Sequence, residues 1–358
     1  MRIAFDVSPL SHPLLGIGNY IQGSLGGLAE TAVARGHEVV AFAPTSMCGP
    51  GRIREALAGI DVELRTWPLP FSHALRTAWS AAGRPAAERL LGAFDVLHFS
   101  DWMYPPQRAG VRATTVHDLV PLHHPEWTTP RTRSMHGRKY RNAAATCDAI
   151  FVNSAFTGRD VERTLGVAAE RIHVARPAPK AVFRPDGPAA DLGAPYVLTV
   201  ATLEPRKNLQ VLVEAHRLLG GELALAVVGA EGWGEQPLLD GAGIRRLGFV
   251  TDDELARLYR GAAAVAYPSR FEGFGIPVIE AMACGVPVVV SSHESLDEAS
   301  GDAALRADPD DPSAWAAALE RAVAERERVA PLGLAHAGSL SWRAVGDVFV
   351  RGYEGALS

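Results

Sequence analysis

The chain has 358 residues, of which 47% are hydrophobic and 21% are charged, as in ordinary globular proteins. Its formal net charge of -5 argues against a nucleic-acid-binding protein, and its length suggests two hydrophobic cores and hence two domains. The three cysteines are scattered and form no Cys-x-x-Cys pair, which argues against a disulfide framework or a zinc knuckle.

The amino-terminal residues read directly as a short strand, without the apolar core and small-residue cleavage site of a signal peptide. The sequence contains no run of about 18 apolar residues, so we expect no transmembrane helix. We therefore expect a cytoplasmic protein.

The first half of the chain alternates apolar strand-like runs with helical patterns. We predict a helix over Asn19–Arg35 that ends at Gly36. The predicted strands are apolar on both faces, which is typical of a parallel sheet covered by helices. These strands are Ile3–Val7, Glu38–Ala43, Val62–Thr66, Val96–Phe99, Ala113–Val116 and Ala149–Val152.

Residues 175–188 are rich in proline and predict a linker, after which a second β/α series begins. Its predicted strands are Tyr196–Val200, Leu223–Val228, Ala264–Tyr267 and Val286–Ser291. Its predicted helices are Leu209–Leu219, Asp252–Tyr259, Pro277–Ala283 and Ser313–Arg328, the last with Ser313 as N-cap. Two such series predict an α/β protein of two doubly wound domains, with ligands at the carboxyl ends of the strands.

The most informative segment follows the strand that ends at Tyr267. Glu272 lies in a glycine-bearing loop, and Glu280 follows after seven intervening residues, in the first turns of a helix that has Pro277 near its start. A strand-to-helix turn of this kind exposes backbone N–H groups and a helix N-terminus, both of which favour an anion. The two carboxylates are suited to accept hydrogen bonds from sugar hydroxyls.

This Glu-(seven residues)-Glu pattern around Gly-Phe-Gly resembles the signature of the GT4 family of retaining glycosyltransferases with the GT-B fold. The resemblance implies that Glu280 binds the ribose of a nucleotide and Glu272 the transferred sugar. It also implies that backbone groups at the intervening positions hold sugar and phosphate. These positions are Gly273, Phe274, Gly275 and Ile276.

The GT-B fold implies two Rossmann-like domains that face a central cleft. Residues 1–180 would form an acceptor-binding domain, and residues 181–336 would form a donor-binding domain. Residues 337–358, including Trp342 and Tyr353, would form a final helix that crosses back to the first domain.

The segment Thr202–Asn208, which contains Arg206 and Lys207, directly follows a predicted strand. Arginine offers a bidentate fork and lysine a mobile point charge, so the pair can neutralise a diphosphate. The segment is similar to the phosphate-binding pair of the GT4 family.

The segment around Gly229, Glu231 and Gly232-Trp-Gly234, together with Phe249 and Val250, follows the family pattern for the walls of the nucleotide pocket. The resemblance implies that Phe249 and Val250 face the base. For any single position here, an ordinary strand-to-loop turn is an equally good interpretation.

Gly16 and Gly18 precede the first helix, but Ile21 stands where a dinucleotide-binding fingerprint has its third glycine, which argues against a nicotinamide site. The resemblance implies a loop that closes over the donor phosphates. A tight turn that needs positive φ is the alternative.

His117 follows an apolar strand, and the resemblance places it near the transferred sugar, with Asp118 orienting it or meeting the acceptor. A structural histidine is the alternative. Ser154 follows another strand and reads most simply as a helix N-cap, with an acceptor contact as the second interpretation.

No metal and no cofactor are expected. The sequence has a single Asp-x-Asp, Asp308-Pro-Asp310, and it lies in a late polar loop. The basic stretch Arg131–Arg141 predicts either contact with anionic lipid headgroups or a lipid-linked diphosphate, at the inner face of the cell membrane, or a solvated helix face.

The resemblance implies a retaining hexosyltransferase, with His117, Arg206, Lys207 and Glu272 as catalytic residues and a phosphate oxygen of the donor as base. The motifs look closest to bacterial mannosyltransferases of polysaccharide assembly. GDP-mannose is therefore the favoured donor and a UDP-hexose the alternative, with a glycan or lipid-linked glycan as hydroxyl acceptor. A sugar-nucleotide epimerase of the same fold and a non-catalytic sugar-nucleotide binding protein remain as alternatives.

Overall fold

The computed structural model describes residues 1–221, 223–232, 234, 239 and 241–358. The chain divides into two compact units, which are described separately. Unit 1 comprises Met1–Pro177 and Ser341–Ser358, and unit 2 comprises Ala178–Leu340. The first division falls inside the proline-rich segment, and the second lies a few residues after position 336.

Unit 1 contains a parallel sheet of seven strands: β1 Arg2–Asp6, β2 Glu38–Thr45, β3 Glu63–Pro68, β4 Val96–Phe99, β5 Val111–Val116, β6 Ala149–Val152 and β7 Ile172–Val174. Its helices in this part of the chain are α1 Gly16–Ala34, α2 Gly49–Ala56, α3 Ser72–Ala82, α4 Glu88–Leu91, α5 Val120–His123, α6 Pro130–Thr146 and α7 Ala155–Leu165. The strand order is β3-β2-β1-β4-β5-β6-β7, so the direction of winding reverses between β1 and β4.

Unit 2 has the strands β8 Tyr196–Val200, β9 Ala224–Val228, β10 Ile244–Gly248, β11 Ala264–Tyr267, β12 Val288–Ser291 and β13 Leu305–Ala307. Its helices among the described residues are α8 Leu209–Leu218, α9 Asp252–Gly261, α10 Ile276–Ala283, α11 Asp297–Ser300, α12 Pro312–Ala324 and α13 Arg326–Gly338. The strand order is β10-β9-β8-β11-β12-β13, with all pairs parallel. The winding reverses between β8 and β11.

The sheet of unit 2 is covered on both faces, because alternate residues of β8, β9, β11 and β12 belong to different hydrophobic clusters. Tyr196 and Leu198 of β8 pack in the cluster that includes α9 and α10, whereas Val197 packs in the cluster that includes α8 and α12. Successive side chains of a strand point to opposite faces. The doubly apolar strands of the sequence therefore predict this arrangement correctly.

The final helix, α14 Trp342–Leu357, packs in unit 1 against α1. The two helix backbones approach closely at glycines, since a Cβ added to Gly27 would lie 1.8 Å from the carbonyl oxygen of Trp342. Phe349 and Tyr353 of α14 are fully buried.

Two sequence predictions about helix starts are wrong. Gly16 and Gly18 lie in the first turn of α1, with Leu15 as N-cap, and neither has positive φ. They therefore form neither a loop nor a tight turn. The helix predicted from Ser313 begins one residue earlier, because Asp311 is its N-cap and accepts hydrogen bonds from the N–H groups of Ser313 and Ala314.

Candidate active site

The principal site lies in unit 2, where the loops after β8 and β11 meet. These strands are neighbours at the point where the winding of the sheet reverses. The loops that follow neighbouring strands leave in opposite directions there, which opens a crevice at the carboxyl edge of the sheet. Residues 201–208 and 268–275 form its two sides.

A buried ion cluster joins these two loops. The Glu272 carboxylate accepts hydrogen bonds from Arg206 Nη1 at 2.8 Å and from Lys207 Nζ at 2.6 Å. Glu204 Oε1 accepts from Arg206 Nη2 at 2.6 Å. The Tyr267 hydroxyl lies 3.0 Å from both Lys207 Nζ and Glu272 Oε1. The structure thus brings together the cations and the carboxylate that the sequence separates by some 65 positions.

The cluster fixes the charge states of its members. Burial opposes ionisation of Glu272, but Arg206 and Lys207 outweigh it and lower the pKa of the carboxyl to about 2. Burial, and then Arg206, lower the pKa of Lys207, while Glu272 and Glu204 act in the opposite direction. Glu272 is therefore a carboxylate across the physiological pH range.

The start of α10 lies beside this cluster. Gly275 is its N-cap with φ 107°, and it has no side chain with which to cap the helix. The positive φ favours glycine at this position, and the space is tight, because a Cβ there would lie 3.0 Å from Leu296 Cδ2. Pro277 lies in the first turn, as the sequence predicts. The N-terminal end of α10 therefore presents its partial positive charge and first N–H groups to an anion.

Glu280 lies one turn into α10 and is buried. Burial, and then Asp252, raise the pKa of this carboxyl to about 8, with Lys180 and Tyr259 acting in the opposite direction. The Tyr259 hydroxyl lies 3.4 Å from Glu280 Oε2, whereas Lys180 Nζ is paired with Asp252 at 2.8 Å. At neutral pH, therefore, Glu272 is ionised, whereas the raised pKa of Glu280 favours its neutral form.

A cavity of about 480 Å³ opens beside the carboxyl ends of β9 and β10. Gly229 and Phe249 line it, and Phe249 is 57% exposed, while Val250 packs against the hydrophobic cluster of α9 and α10. Gly229 has φ 150°, and a Cβ would lie 1.8 Å from the carbonyl oxygen of Ala201, so glycine is required. Trp233 of the Gly-Trp-Gly motif lies outside the described residues.

The remaining predicted residues lie in unit 1. His117 follows β5, and its ring is edge-on to Tyr20 at 5.1 Å. Its Nε2 is buried without a hydrogen-bond partner. Burial, and then Lys139, lower its pKa to about 3, so the imidazole is neutral. Asp118 Oδ1 accepts from the N–H of Val120 at 3.0 Å.

Ser154 is the N-cap of α7, and its side chain accepts from the N–H of Thr157. This is the first of the two sequence interpretations. Ser154 is fully buried.

The sequence interpretation missed four polar residues of the unit 2 cluster: Glu204, Tyr267, Ser269 and Ser295. Ser269 Oγ donates to Glu272 Oε1, and the N–H of Glu272 donates to Ser295 Oγ at 3.0 Å. The position of Glu204, two residues before Arg206, could have indicated from the sequence that the two side chains pair. The other three are short polar or aromatic residues without a distinguishing pattern.

Within the described parts of the chain, no group of three or more His, Cys, Asp or Glu side chains is arranged to hold a metal ion. Asp310 pairs instead with Arg270, at 2.5 Å. No helix formed by the described residues has both the length and the hydropathy needed to cross a bilayer.

Comparisons with known proteins identify the family of this chain. Residues 24–178 match the family model described as Glycosyltransferase Family 4, and residues 194–325 match the model described as Glycosyl transferases group 1. The O-antigen chain mannosyltransferase B of Escherichia coli is 31% identical over 96% of each chain. A D-inositol 3-phosphate glycosyltransferase of Thermomonospora curvata is 28% identical, over 99% of this chain and 94% of that protein.

Solved structures share the fold at low identity. Sucrose-phosphate synthase of Thermosynechococcus elongatus matches with a TM-score of 0.74 and 19% identity, over 99% of this chain and 98% of that one. Anabaena HepE, solved with UDP and glucose, matches with a TM-score of 0.70 and 16% identity, over 98% of each chain. The chain therefore belongs to glycosyltransferase family 4, is a glycosyltransferase, and consists of the two parallel-sheet Rossmann-like units of the GT-B fold.

Proposed function

We propose that this enzyme transfers mannose from GDP-mannose to a hydroxyl of a glycan or lipid-linked glycan, with retention of configuration and without a divalent metal. A UDP-hexose is the alternative donor. The observation that supports this most directly is the cluster of Arg206, Lys207 and Glu272 beside the N-terminal end of α10.

The cluster suits a diphosphate leaving group. Negative charge accumulates on a nucleoside diphosphate as its bond to the sugar breaks, and cations already fixed in place stabilise that charge without reorganisation. Glu204 and Glu272 hold Arg206 and Lys207 in defined positions. The helix N-terminus adds N–H donors without a metal. On this proposal Arg206 and Lys207 do the electrostatic work that a bound cation does in other transferases.

The donor assignment rests on the relatives. The Escherichia coli relative that is 31% identical is named a mannosyltransferase, and a second Escherichia coli relative, also named a mannosyltransferase, is 28% identical over 67% of this chain. HepE was solved with UDP and glucose, at 16% identity. The cavity beside Gly229 and Phe249 would take the base, and Glu280 the ribose hydroxyls.

In the proposed retaining mechanism, the donor itself supplies the base. Glu272 has a pKa of about 2 and is held by two cations, so it does not serve as the proton donor that a glycosidase requires. A phosphate oxygen of the departing diphosphate takes the proton of the acceptor hydroxyl. At the same time the hydroxyl oxygen bonds to the anomeric carbon, on the face from which the diphosphate leaves. His117, neutral at physiological pH, would contact the transferred sugar.

The sharpest test of the phosphate site is Arg206→Ala. We expect kcat to fall by about 10²–10³, because one preorganised contact to the developing charge is lost, while the Kd of the donor changes less. Arg270→Ala is the matched control, since Arg270 lies in the facing loop but pairs with Asp310 and Asn208. Steady-state kinetics with calorimetry measure both quantities. An unchanged kcat in Arg206→Ala would remove this residue from the phosphate site.

The donor is identified by thermal shift with GDP-mannose, UDP-glucose and ADP-glucose, followed by product analysis with the stabilising donor. We expect the largest shift with GDP-mannose. Preferential stabilisation by a UDP-sugar would replace the mannose assignment and leave the phosphate site intact. Release of a free epimerised sugar, or donor binding without transfer, would favour the two alternative functions instead.

Metal independence has its own test. Because fixed cations and a helix N-terminus supply the charge, transfer should proceed at an unchanged rate after exhaustive treatment with EDTA. Loss of activity that magnesium or manganese restores would contradict this part of the proposal. The matched comparison is a transferase known to need a metal, assayed in the same chelated buffer.

A further inference from the structure

The segment that follows β12 lies against the loop that carries Glu272. The strands β11 and β12 are parallel neighbours, so the chain that leaves β12 continues beside the loop that leaves β11. It forms a short 3₁₀ turn, Glu294–Leu296, which leads into α11. The two segments meet at two positions, since Ser295 is hydrogen-bonded to the backbone of Glu272 and Leu296 packs on Gly275.

Ser295 makes its bond to Glu272 as an acceptor. Its side chain is buried, and its Oγ accepts from the backbone N–H of Glu272 at 3.0 Å. A hydroxyl also has one proton to donate, and a buried donor needs a partner. Nδ1 of His293 lies 2.8 Å from Ser295 Oγ. The hydroxyl of Ser295 therefore donates to His293 while it accepts from Glu272.

A second hydrogen bond fixes the tautomer of His293. The backbone N–H of Ser295 points to the same Nδ1, at 3.2 Å, and this contact caps the 3₁₀ turn. A ring nitrogen that faces both an N–H and an O–H donor carries no proton of its own. The proton of the His293 ring therefore lies on Nε2, and the ring is neutral.

These contacts hold one side of a single peptide group, and Arg206 holds the other. The peptide between residues 271 and 272 donates its N–H to Ser295 Oγ, and its carbonyl, that of Phe271, accepts from Arg206 Nη1 at 2.8 Å. The same Nη1 donates to the Glu272 carboxylate at 2.8 Å. The ring of Phe271 also lies beside that of His293, with centroids 5.6 Å apart. A turn of this peptide plane would therefore displace an acceptor of Arg206.

We propose that His293 and Ser295 are positioning residues for the phosphate site. A chain of hydrogen bonds runs from His293 through Ser295 to the 271–272 peptide, whose carbonyl fixes Arg206. Fixed cations stabilise developing charge well because they do not reorganise during the reaction. The inference rests on the role proposed for Arg206 and adds two residues that act through it.

The tautomer is tested without any substrate. Long-range ¹H–¹⁵N NMR of the full chain with ¹⁵N-labelled histidine, above neutral pH, distinguishes protonated from unprotonated ring nitrogens. The His293 signals are assigned by their loss in H293N. We expect an unprotonated Nδ1 and a protonated Nε2. A proton on Nδ1 would overturn the proposal, because Ser295 would then have no acceptor there.

The clamp on the peptide is tested by hydrogen exchange, also without a donor. H293N keeps an amide oxygen at the position of Nδ1, whereas H293Q moves the amide outward by one methylene. Exchange at the Glu272 amide should be about fivefold faster in H293Q and S295A, the net contribution of one hydrogen bond, and close to wild type in H293N. S292A, at the exposed neighbouring serine, is the control. Equal exchange in S295A and S292A would contradict the clamp.

Kinetics separate positioning from a purely structural role. In H293Q and S295A we expect kcat to fall about tenfold with a smaller change in the Kd of the donor, and H293N to restore most of the loss. A wild-type kcat in H293Q would overturn the positioning role and leave the proposed sugar transfer intact. A wrong donor assignment, by contrast, would leave the NMR and exchange results unchanged, because neither measurement uses a donor.

Discussion

Glu280 is a carboxyl group in surroundings that favour its protonated form. Burial and Asp252 raise its pKa to about 8 in the folded protein, from an ordinary value of 4.5. At a pH between these two pKa values, Glu280 is protonated in the folded state and ionised in the unfolded state. The free energy of unfolding attributable to this group therefore falls as the pH rises.

Glu280→Gln removes this dependence, since glutamine stays neutral. We expect the variant and the wild type to have similar melting temperatures near pH 5, with the variant becoming the more stable as the pH rises towards 8. Scanning calorimetry over that range measures the difference. Glu320→Gln, at an exposed position of α12, is the control and should track the wild type. A difference between Glu280→Gln and the wild type that does not change with pH would contradict the raised pKa.

For the two glutamates of the motif, the spacing in the sequence predicts the structural element of each residue and leaves its charge state undetermined. The sequence placed Glu272 in a loop and Glu280 in a helix, and both positions are observed. The resemblance implies that both carboxylates accept hydrogen bonds from hydroxyls, which stays a prediction. The structure adds that Glu272 is paired with two cations and that Glu280 lies beside Tyr259. Charge state depends on neighbours that are distant in the chain, and spacing carries no information about them.

At the scale of elements, the packing of α14 on α1 depends on glycines. A Cβ at Gly27 would meet the backbone of Trp342, and one at Gly346 would lie 2.1 Å from the carbonyl oxygen of Gly27. Backbone atoms at a helix contact cannot move away as a flexible side chain can. The two helices therefore lie at a distance that only glycine permits at these positions.

Gly27→Ala should lower the free energy of unfolding by about 1–3 kcal/mol, the usual cost of overpacking. Gly26→Ala is the matched control in the same helix, because its Cβ would lie 3.7 Å from Ile60. It should be neutral or stabilise by up to about 1 kcal/mol, as alanine is the better helix former. Urea unfolding separates the two. Equal effects of both substitutions would contradict the close approach.

Elements with a strong apolar pattern were predicted well and others were not. The edge strand β10, with exposed Arg245 and Arg246, shows no run of apolar residues. The predicted helix Ser313–Arg328 is two helices, since α12 ends at Ala324 and α13 begins at Arg326. Helical propensity is continuous across this break, so the division follows from packing rather than from local sequence.

At the scale of the whole molecule, unit 1 is completed by residues 341–358, which follow all of unit 2 in the chain. Phe349 packs on Phe151 with ring centroids 4.6 Å apart, and the Tyr353 hydroxyl lies 2.7 Å from His98 Nδ1. All four side chains are fully buried. The hydrophobic core of unit 1 is therefore incomplete until residues 341–358 have been synthesised.

Deletion of residues 341–358 should unfold unit 1 and leave unit 2 able to bind nucleotide. Hydrogen exchange with mass spectrometry should show loss of protection in β1, β4 and β6 and retained protection in β8 and β11. Removal of residues 355–358 alone is the control and should leave both patterns unchanged. Full protection of β1 and β6 after the longer deletion would show that unit 1 folds without α14.

The sequence by itself determined the family, the two β/α series, the proline-rich boundary and the residue types Arg206, Lys207 and Glu272 of the unit 2 cluster, because apolar periodicity and short motifs are local properties. The tertiary structure decided which groups meet. It paired Glu272 with Arg206 and Lys207 and raised the pKa of the buried Glu280. These outcomes depend on burial and on charges brought together by the order of strands in each sheet, which no single segment of the chain encodes.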